Sequence, residues 1–263
     1  MQQLIQADGL FGPIKVVNDR GAQLLLVNNQ IQGGAWLQPD VGFGHPGPVS
    51  SHEYAAGWLM AGLHHPEGRG LMVGLGSGCG AISLLYHWPM MQLRVLEIDP
   101  QVIDVAVSCF PGINHFCNTG QLEIVETDAA EYLQQEDQQW DFGLFDCYDG
   151  GADLLQESLE ELTGCCDDVW VNVIDALDGP NIEGCIRRIR SGGGEVSEIF
   201  RTQPTHEDPF IERANWIVAA ADLDWRAIDE FVPYPDLTGI QAFQARRAWN
   251  TTIRQTASGL IEW

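Results

Sequence analysis

A glycine-rich run between an apolar stretch and a helical pattern constrains the fold of this chain more than any other feature. The run is Val73-Gly74-Leu75-Gly76-Ser77-Gly78-Cys79-Gly80, and the helical pattern Ala81–His87 follows it. Glycine adopts positive φ and lets the backbone approach a ligand closely, so such a loop is typical of ligand-binding strand-to-helix turns. Taken alone, the run also fits a tight turn that binds nothing.

Strand and helix patterns alternate from Gly70 onward. We predict strands at Gly70–Gly74, Gln92–Ile98, Leu122–Glu126, Phe142–Phe145 and Val169–Ile174. Asp99-Pro100 is a favourable helix start, with Asp as the N-cap and Pro in the first turn. The alternation predicts an α/β fold of Rossmann type, with a mostly parallel sheet and helices on both faces. Further predictions are antiparallel edge strands at Val196–Phe200 and Trp216–Ala220, and a last helix at Leu237–Thr256.

Residues 1–49 have a different pattern, and we predict a small N-terminal antiparallel β-hairpin unit there. The predicted strands are Ile14–Val17, Gln23–Val27 and Gln30–Gln32, separated by residues that tolerate positive φ. Residues 50–263 would then form the Rossmann-type domain. We also expect a loop from Pro39 to Pro48, and a helix that Ser50 or Ser51 caps and that runs to about Leu63.

Three acidic residues follow successive predicted strands. Glu97 ends the second strand, Asp128 follows the third and Asp146 follows the fourth. Open α/β sheets bind ligands at the carboxyl ends of their strands, and an acid after the second strand can accept the hydroxyls of a ribose. The pattern favours a nucleoside site between Leu71 and Asp149. Each acid also has a purely structural interpretation, as a strand end, a helix cap or a solvated loop charge.

The charge of this region indicates which nucleoside fits. A phosphate-rich ligand such as NAD would be repelled by the acids, whereas a sulfonium or ammonium cation would be attracted. The acids concerned are Glu97, Asp99, Asp128, Asp146 and Asp149. An S-adenosyl compound is therefore favoured over NAD.

Composition excludes several classes of protein. The net charge is −24 and Lys15 is the single lysine, so binding of nucleic acid or an anionic membrane is not expected. The acidic surface suits a cationic partner such as a polyamine, although it also serves solubility. The seven cysteines contain no C-x-x-C pair, and no secretory signal is evident. We expect a cytoplasmic protein with reduced thiols and no metal.

These residues resemble the spermidine synthase family of aminopropyltransferases, and more loosely class I methyltransferases. The resemblance implies that Gln32 lines the donor site and that His52 faces the reacting groups. It implies that Glu97 binds the ribose and that Asp128-Ala129 contacts adenine. Asp146 would deprotonate the attacking amine and Asp149 would hold an ammonium group. The glycine-loop residues expected to bind the donor are Gly74, Gly76, Ser77 and Gly78.

Three residues depart from the family pattern. Ser77 stands where the family has the Asp that grips the aminopropyl ammonium, Ser51 replaces a Tyr, and Gly150 replaces a Pro. An Asp in the glycine loop would repel the carboxylate of S-adenosylmethionine, and Ser77 would not. The donor could thus be S-adenosylmethionine or its decarboxylated form.

Three functions therefore stay open. They are aminopropyl transfer to an amine or polyamine such as putrescine, methyl transfer from S-adenosylmethionine, and non-catalytic binding of a polyamine or nucleoside. The resemblance further implies a homodimer.

Overall fold

The computed structural model describes residues 2–37, 46–50, 54–110, 112–147, 158–175, 180–202 and 214–235, together with Arg246 and Trp249. Two of the predicted catalytic residues, His52 and Asp149, lie outside these ranges, as do Ser51, Gly150 and most of the helix predicted at Leu237–Thr256.

The N-terminal part forms an antiparallel sheet of five strands in the order β1-β2-β3-β4-β5. The strands are β1 (Gln2–Gly9), β2 (Gly12–Asp19), β3 (Ala22–Val27), β4 (Gln30–Leu37) and β5 (Pro46–Ser50). Asn28 and Asn29 form the turn between β3 and β4 with φ of 51° and 63°. Asn tolerates this region, and the turn matches the twist of the two strands. The three predicted strands lie within β2, β3 and β4.

Two predictions for the segment before the first helix are wrong. The loop expected from Pro39 to Pro48 ends earlier, because β5 starts at Pro46 and pairs with β4. Ser50 belongs to β5, so it does not cap the helix. Helix α1 (Ala55–His64) instead has Tyr54 at its N-cap position, without a capping hydrogen bond from that side chain. Proline is tolerated in β5 because the strand lies at the edge of its sheet.

The remaining strands form a seven-stranded sheet in the order β11-β12-β10-β9-β6-β7-β8. Its strands are β6 (Arg69–Val73), β7 (Gln92–Glu97), β8 (Leu122–Glu126), β9 (Trp140–Phe145), β10 (Cys166–Asp175), β11 (Glu198–Thr202) and β12 (Ala214–Ala220). The neighbours from β8 to β10 pair in parallel. Strand β12 is antiparallel to both β10 and β11. The predicted Rossmann-type α/β fold, with its antiparallel strand pair at one edge, is confirmed.

Helices connect the strands and cover both faces of this sheet. After α1 come α2 (Cys79–His87), α3 (Pro100–Cys109), α4 (Gly112–Thr119), α5 (Ala129–Gln134), α6 (Leu159–Cys165), α7 (Pro180–Ser191) and α8 (Trp225–Glu230). Asp99 caps α3 as predicted, since its side chain accepts a hydrogen bond from the Gln101 amide. Within the described residues, no helix combines the length and apolar character that crossing a membrane requires.

The apolar core has two parts because side chains alternate between the faces of a strand. On one face, Met72 and Val95 pack with α1 to α4 and with buried residues of the N-terminal sheet such as Ile14 and Leu25. On the other face, strand residues such as Leu71 and Val171 pack with buried residues of α6 and α7. The five-stranded sheet therefore shares a core with one face of the α/β sheet, and the carboxyl ends of β6 to β9 lie beside it.

Candidate active site

Glycine residues allow the loop between β6 and α2 to pack closely against neighbouring backbone segments. Gly74, Gly76 and Gly78 have φ of 94°, 52° and 70°, a region that favours glycine. A Cβ on Gly74 would overlap the carbonyl oxygen of Asp146, and one on Gly76 would lie 2.8 Å from the carbonyl oxygen of Gln32. Glycine thus lets this loop approach both the end of β9 and strand β4.

A cavity of about 300 Å³ lies between this loop, the strand ends and the N-terminal sheet. The α/β sheet and its loops contribute residues that include Val73, Gly74, Gly76, Leu96, Glu97, Ile98, Val102, Thr127, Asp128, Ala129, Asp146 and Cys147. The N-terminal sheet and its turns contribute Phe11, Leu25, Val27 and Gln32. This volume falls at the small end of the range for small-molecule sites.

Glu97 connects the two loops that border the cavity. Its Oε2 accepts a hydrogen bond from the Leu75 amide and its Oε1 accepts one from the Asp99 amide, both at 3.0 Å. Burial raises the pKa of this carboxyl, and the backbone hydrogen bonds oppose that rise. Each carboxylate oxygen accepts more than one hydrogen bond, so Glu97 can still receive the hydroxyls of a bound ribose.

Asp128 combines a structural position with a place in the cavity wall. Its Oδ1 accepts a hydrogen bond from the Ala130 amide at 2.8 Å and so caps α5. The residue also lines the cavity together with Ala129. The helix-cap interpretation and the ligand-site interpretation of this acid are therefore compatible.

Asp146 directly follows β9 and is held by two polar side chains. Its Oδ2 accepts a hydrogen bond from the Tyr54 hydroxyl at 3.0 Å, and its Oδ1 accepts one from Nδ2 of Asn172 at 2.9 Å. Burial raises the pKa of Asp146 to about 6, and these two hydrogen bonds act in the opposite direction. A fixed carboxylate that titrates close to neutral pH suits general-base chemistry.

The charges around the cavity have one sign. Glu97, Asp128 and Asp146 are its carboxylates, and none of the described lining residues is Lys, Arg or His. A phosphate or carboxylate placed here would meet repulsion without a cationic partner, whereas a sulfonium or ammonium would be stabilised. The site therefore has the electrostatic character of a cation-binding cavity.

The structure brings most of the sequence-predicted site residues together. Those that line the cavity are Gln32, Gly74, Gly76, Glu97, Asp128, Ala129 and Asp146. Ser77 and Gly78, also predicted to bind the donor, are not among the lining residues. Ser77 is only 3% exposed and lies against Gly33 of β4, where an added Cβ would overlap its hydroxyl. Gly78 is the N-cap residue of α2.

Several residues of the site were not predicted from the sequence. Tyr54 and Asn172 hold Asp146, and Phe11, Leu25 and Val27 form the wall contributed by the N-terminal sheet. One signal for Asn172 was available, because a lone amide within the apolar run 169–174 has to find a polar partner inside the protein.

Comparison with family models shows which known domain this region of the chain resembles. Residues 56–163, which contain the glycine loop, Glu97, Asp128 and Asp146, match the family model of the spermine/spermidine synthase domain. This segment, which is less than half of the chain, is therefore similar to the spermine/spermidine synthase domain. Comparison with curated proteins gives no match.

Solved spermidine synthases share the fold of the chain. A probable spermidine synthase from Corynebacterium glutamicum aligns with a TM-score of 0.63 and 14% identity, over 93% of this chain and 86% of that one. The spermidine synthase of Thermotoga maritima aligns with a TM-score of 0.61 and 16% identity, over 88% and 76%. A spermidine synthase in complex with the transition-state analogue AdoDATO gives 0.67 and 13%, over 98% and 87%.

Proposed function

We propose that this chain is an aminopropyltransferase that moves the aminopropyl group of decarboxylated S-adenosylmethionine to an amine or polyamine such as putrescine. The observation that carries this proposal is that the charged residues of the described cavity lining are all acidic and that one of them, Asp146, is fixed by two hydrogen bonds. The match of residues 56–163 to the spermine/spermidine synthase domain supports the same type of transfer. This chemistry requires no metal, since the sulfur is already cationic and leaves the carbon as part of a neutral thioether.

The charge of the cavity favours the decarboxylated donor. S-adenosylmethionine carries a carboxylate, which would find three acidic residues and no basic one among the described lining. The decarboxylated donor carries only a sulfonium and an ammonium at neutral pH, and both suit that surrounding. The sequence argument that Ser77 would admit S-adenosylmethionine is weakened, because the Ser77 side chain packs at Gly33 and not in the cavity wall.

The proposed reaction is a displacement at carbon. A neutral amine nitrogen attacks the methylene next to the sulfonium, the carbon–nitrogen bond forms and the carbon–sulfur bond breaks. The bonding electron pair passes to sulfur and gives methylthioadenosine. The proton lost by the nitrogen goes to the carboxylate of Asp146, which Tyr54 and Asn172 hold in place. Orientation of the two reactants supplies much of the rate acceleration.

The remaining roles follow from position. Glu97 would accept hydrogen bonds from the ribose hydroxyls, and Asp128 with Ala129 would border the adenine. Gln32 would contact the donor from the side of β4. We also propose that His52 and Asp149 act on the acceptor side, in line with the family pattern.

Other properties expected from the sequence also remain proposals. They are a division at residues 49 and 50, homodimeric assembly and a cytoplasmic location.

The decisive experiment combines a product assay with a single variant. Incubation with decarboxylated S-adenosylmethionine and a panel of amines, followed by mass spectrometry, is expected to show an aminopropylated amine and methylthioadenosine. Asp146→Asn should lower kcat by roughly 100-fold or more, since it removes the base, while binding of methylthioadenosine changes little. Asp104→Asn, on an exposed position of α3, is the matched control. Absence of product with every amine would overturn the proposal.

Methyl transfer is the second candidate, because the glycine loop and the acids that follow it also resemble class I methyltransferases. Calorimetry separates the two functions. An aminopropyltransferase should bind decarboxylated S-adenosylmethionine more tightly than S-adenosylmethionine, because the latter brings a carboxylate into an acidic cavity. Tight binding of S-adenosylmethionine alone would favour methyl transfer.

A further inference from the structure

The turn between β1 and β2 contributes a side chain to the cavity wall. Phe11 lies at this turn and lines the cavity, although it belongs to the N-terminal sheet. Its neighbour Leu10 is not among the lining residues. The same turn thus presents one apolar side chain to the cavity and another elsewhere.

A buried carboxylate fixes the turn to the α/β domain. Oδ2 of Asp99 accepts a hydrogen bond from the Leu10 amide at 2.7 Å, and Oδ1 accepts one from the Gln101 amide at 2.9 Å. Asp99 is only 1% exposed, and its own amide donates to Glu97 at 3.0 Å. Hydrogen bonds through Asp99 therefore connect Glu97, beside the proposed ribose position, to Leu10, the residue next to Phe11.

Two large apolar side chains remain accessible at the cavity. Phe11 and Ile98 are each 38% exposed, although most apolar residues around them are buried. Accessible apolar surface at the rim of a cavity is a common mark of a ligand contact. Ile98 follows Glu97 directly, and Asp99 joins the turn that carries Phe11 to the same segment, so both side chains belong to the part of the cavity wall next to Glu97.

We propose that Phe11 is a base-positioning residue, which packs its ring on the purine of the bound nucleoside and closes that end of the cavity. This inference rests on the proposed function for the identity of the nucleoside. A purine has two apolar faces, and stacking on an aromatic side chain stabilises a bound base. Phe11 is the one aromatic side chain among the described lining residues, so it can supply this stacking beside aliphatic residues such as Leu25 and Ile98.

Calorimetry with methylthioadenosine and with adenosine tests the role of Phe11. Phe11→Ala should weaken binding of both ligands by roughly 5- to 100-fold, the range expected for loss of one base–aromatic contact. Phe11→Leu keeps apolar bulk and should give a smaller loss. Leu10→Ala is the matched control, since it changes the same turn at a side chain that is 64% exposed and outside the cavity lining. It should bind like the wild type.

The outcomes separate this inference from the proposed function. Failure of the wild type to bind either nucleoside would overturn both. Normal binding by Phe11→Ala, with binding intact in the wild type, would overturn the role of Phe11 alone. A loss seen with methylthioadenosine and not with adenosine would place Phe11 at the methylthio group and also contradict the proposal. Thermal unfolding of each free variant, with Phe11→Leu as the conservative substitution, shows whether the turn is still folded.

Discussion

At the scale of single residues, burial and the hydroxyl of Tyr54 act in opposite directions on the pKa of Asp146. The hydroxyl donates to the carboxylate, a hydrogen bond that lowers the pKa of Asp146, while burial raises that pKa to about 6. The reaction needs the ionised carboxylate, so kcat should be low at acid pH, rise through about pH 6 and level off above it. Tyr54→Phe removes one stabilising contact of the charged form. The acid limb of the kcat profile should therefore move to higher pH by roughly half a unit to one unit.

A pH profile of kcat for both proteins checks this prediction. Tyr86→Phe is the matched control, because Tyr86 is outside the cavity lining and removal of its hydroxyl should leave the acid limb in place. An unchanged limb in Tyr54→Phe would mean that the hydroxyl does not act on the base.

The acids of the site could be predicted from the sequence, whereas their partners could not. Glu97, Asp128 and Asp146 each follow a strand with a clear apolar pattern, and parallel strands bring such positions to one edge. Tyr54 and Asn172 come from a helix start and a neighbouring strand, so their contact with Asp146 depends on sheet order. The direction of Ser77 depends on the close approach of β4, which its local sequence does not encode.

At the scale of elements, Asp99 links α3 to the β1–β2 hairpin. One oxygen caps the helix and the other receives the Leu10 amide of the hairpin. Asp99→Ala should therefore lower the free energy of unfolding by about 2 kcal/mol, the sum of a lost cap and a buried amide left without its partner. Asp99→Asn keeps one acceptor oxygen and should cost less.

Urea unfolding of these variants gives the measurement, and Asp224→Ala gives the reference. Asp224 caps α8 through the Arg226 and Ala227 amides and is exposed, so its loss should cost only about 1 kcal/mol. Equal losses at Asp99 and Asp224 would contradict the hairpin link.

The elements themselves were predictable where burial imposes a pattern. Strand β8 has the bounds predicted from its apolar residues. Strand β1 was missed because its side chains are mostly exposed and alternate only weakly. Hydrogen bonding to β2 orders it, from the pair Gln2 and Asn18 to the pair Gly9 and Gly12. Pairing of this kind leaves little trace in the hydrophobic pattern.

At the scale of the whole molecule, the two sheets share one core, and the cavity lies between them. Ile14 and Leu25 of the N-terminal sheet are fully buried in the same cluster as Trp58 and Phe110 of the α/β domain. The sequence indicates two units with different patterns, but the way one packs on the other depends on side-chain shapes. Because the cavity wall includes Leu25 and Val27, its full lining could not be predicted from either unit alone.

His87 makes the stability of this shared core depend on pH. It ends α2, its ring lies 4.4 Å from that of Tyr234, and within the described part of the chain its Nε2 has no hydrogen-bond partner. Burial lowers the pKa of His87 to about 4. An unfolded histidine titrates near pH 6.5, so the unfolded chain takes up a proton that folded His87 does not. Its contribution to stability is complete above about pH 6.5 and is lost as the pH falls towards 4.

Urea unfolding at pH 7.5 and pH 5.0 isolates this effect. Asp146 and Glu97 have raised pKa values and act in the opposite direction, since their contribution declines as the pH rises. The pH-dependent loss of stability is therefore compared between the wild type and a variant that lacks His87. The loss of stability between the two pH values should be smaller in His87→Phe than in the wild type by about 2 kcal/mol. His115→Phe, at an exposed histidine of α4, should behave like the wild type. An equal loss in His87→Phe would show that His87 takes up its proton in the folded state, and hence that its aromatic surroundings admit water.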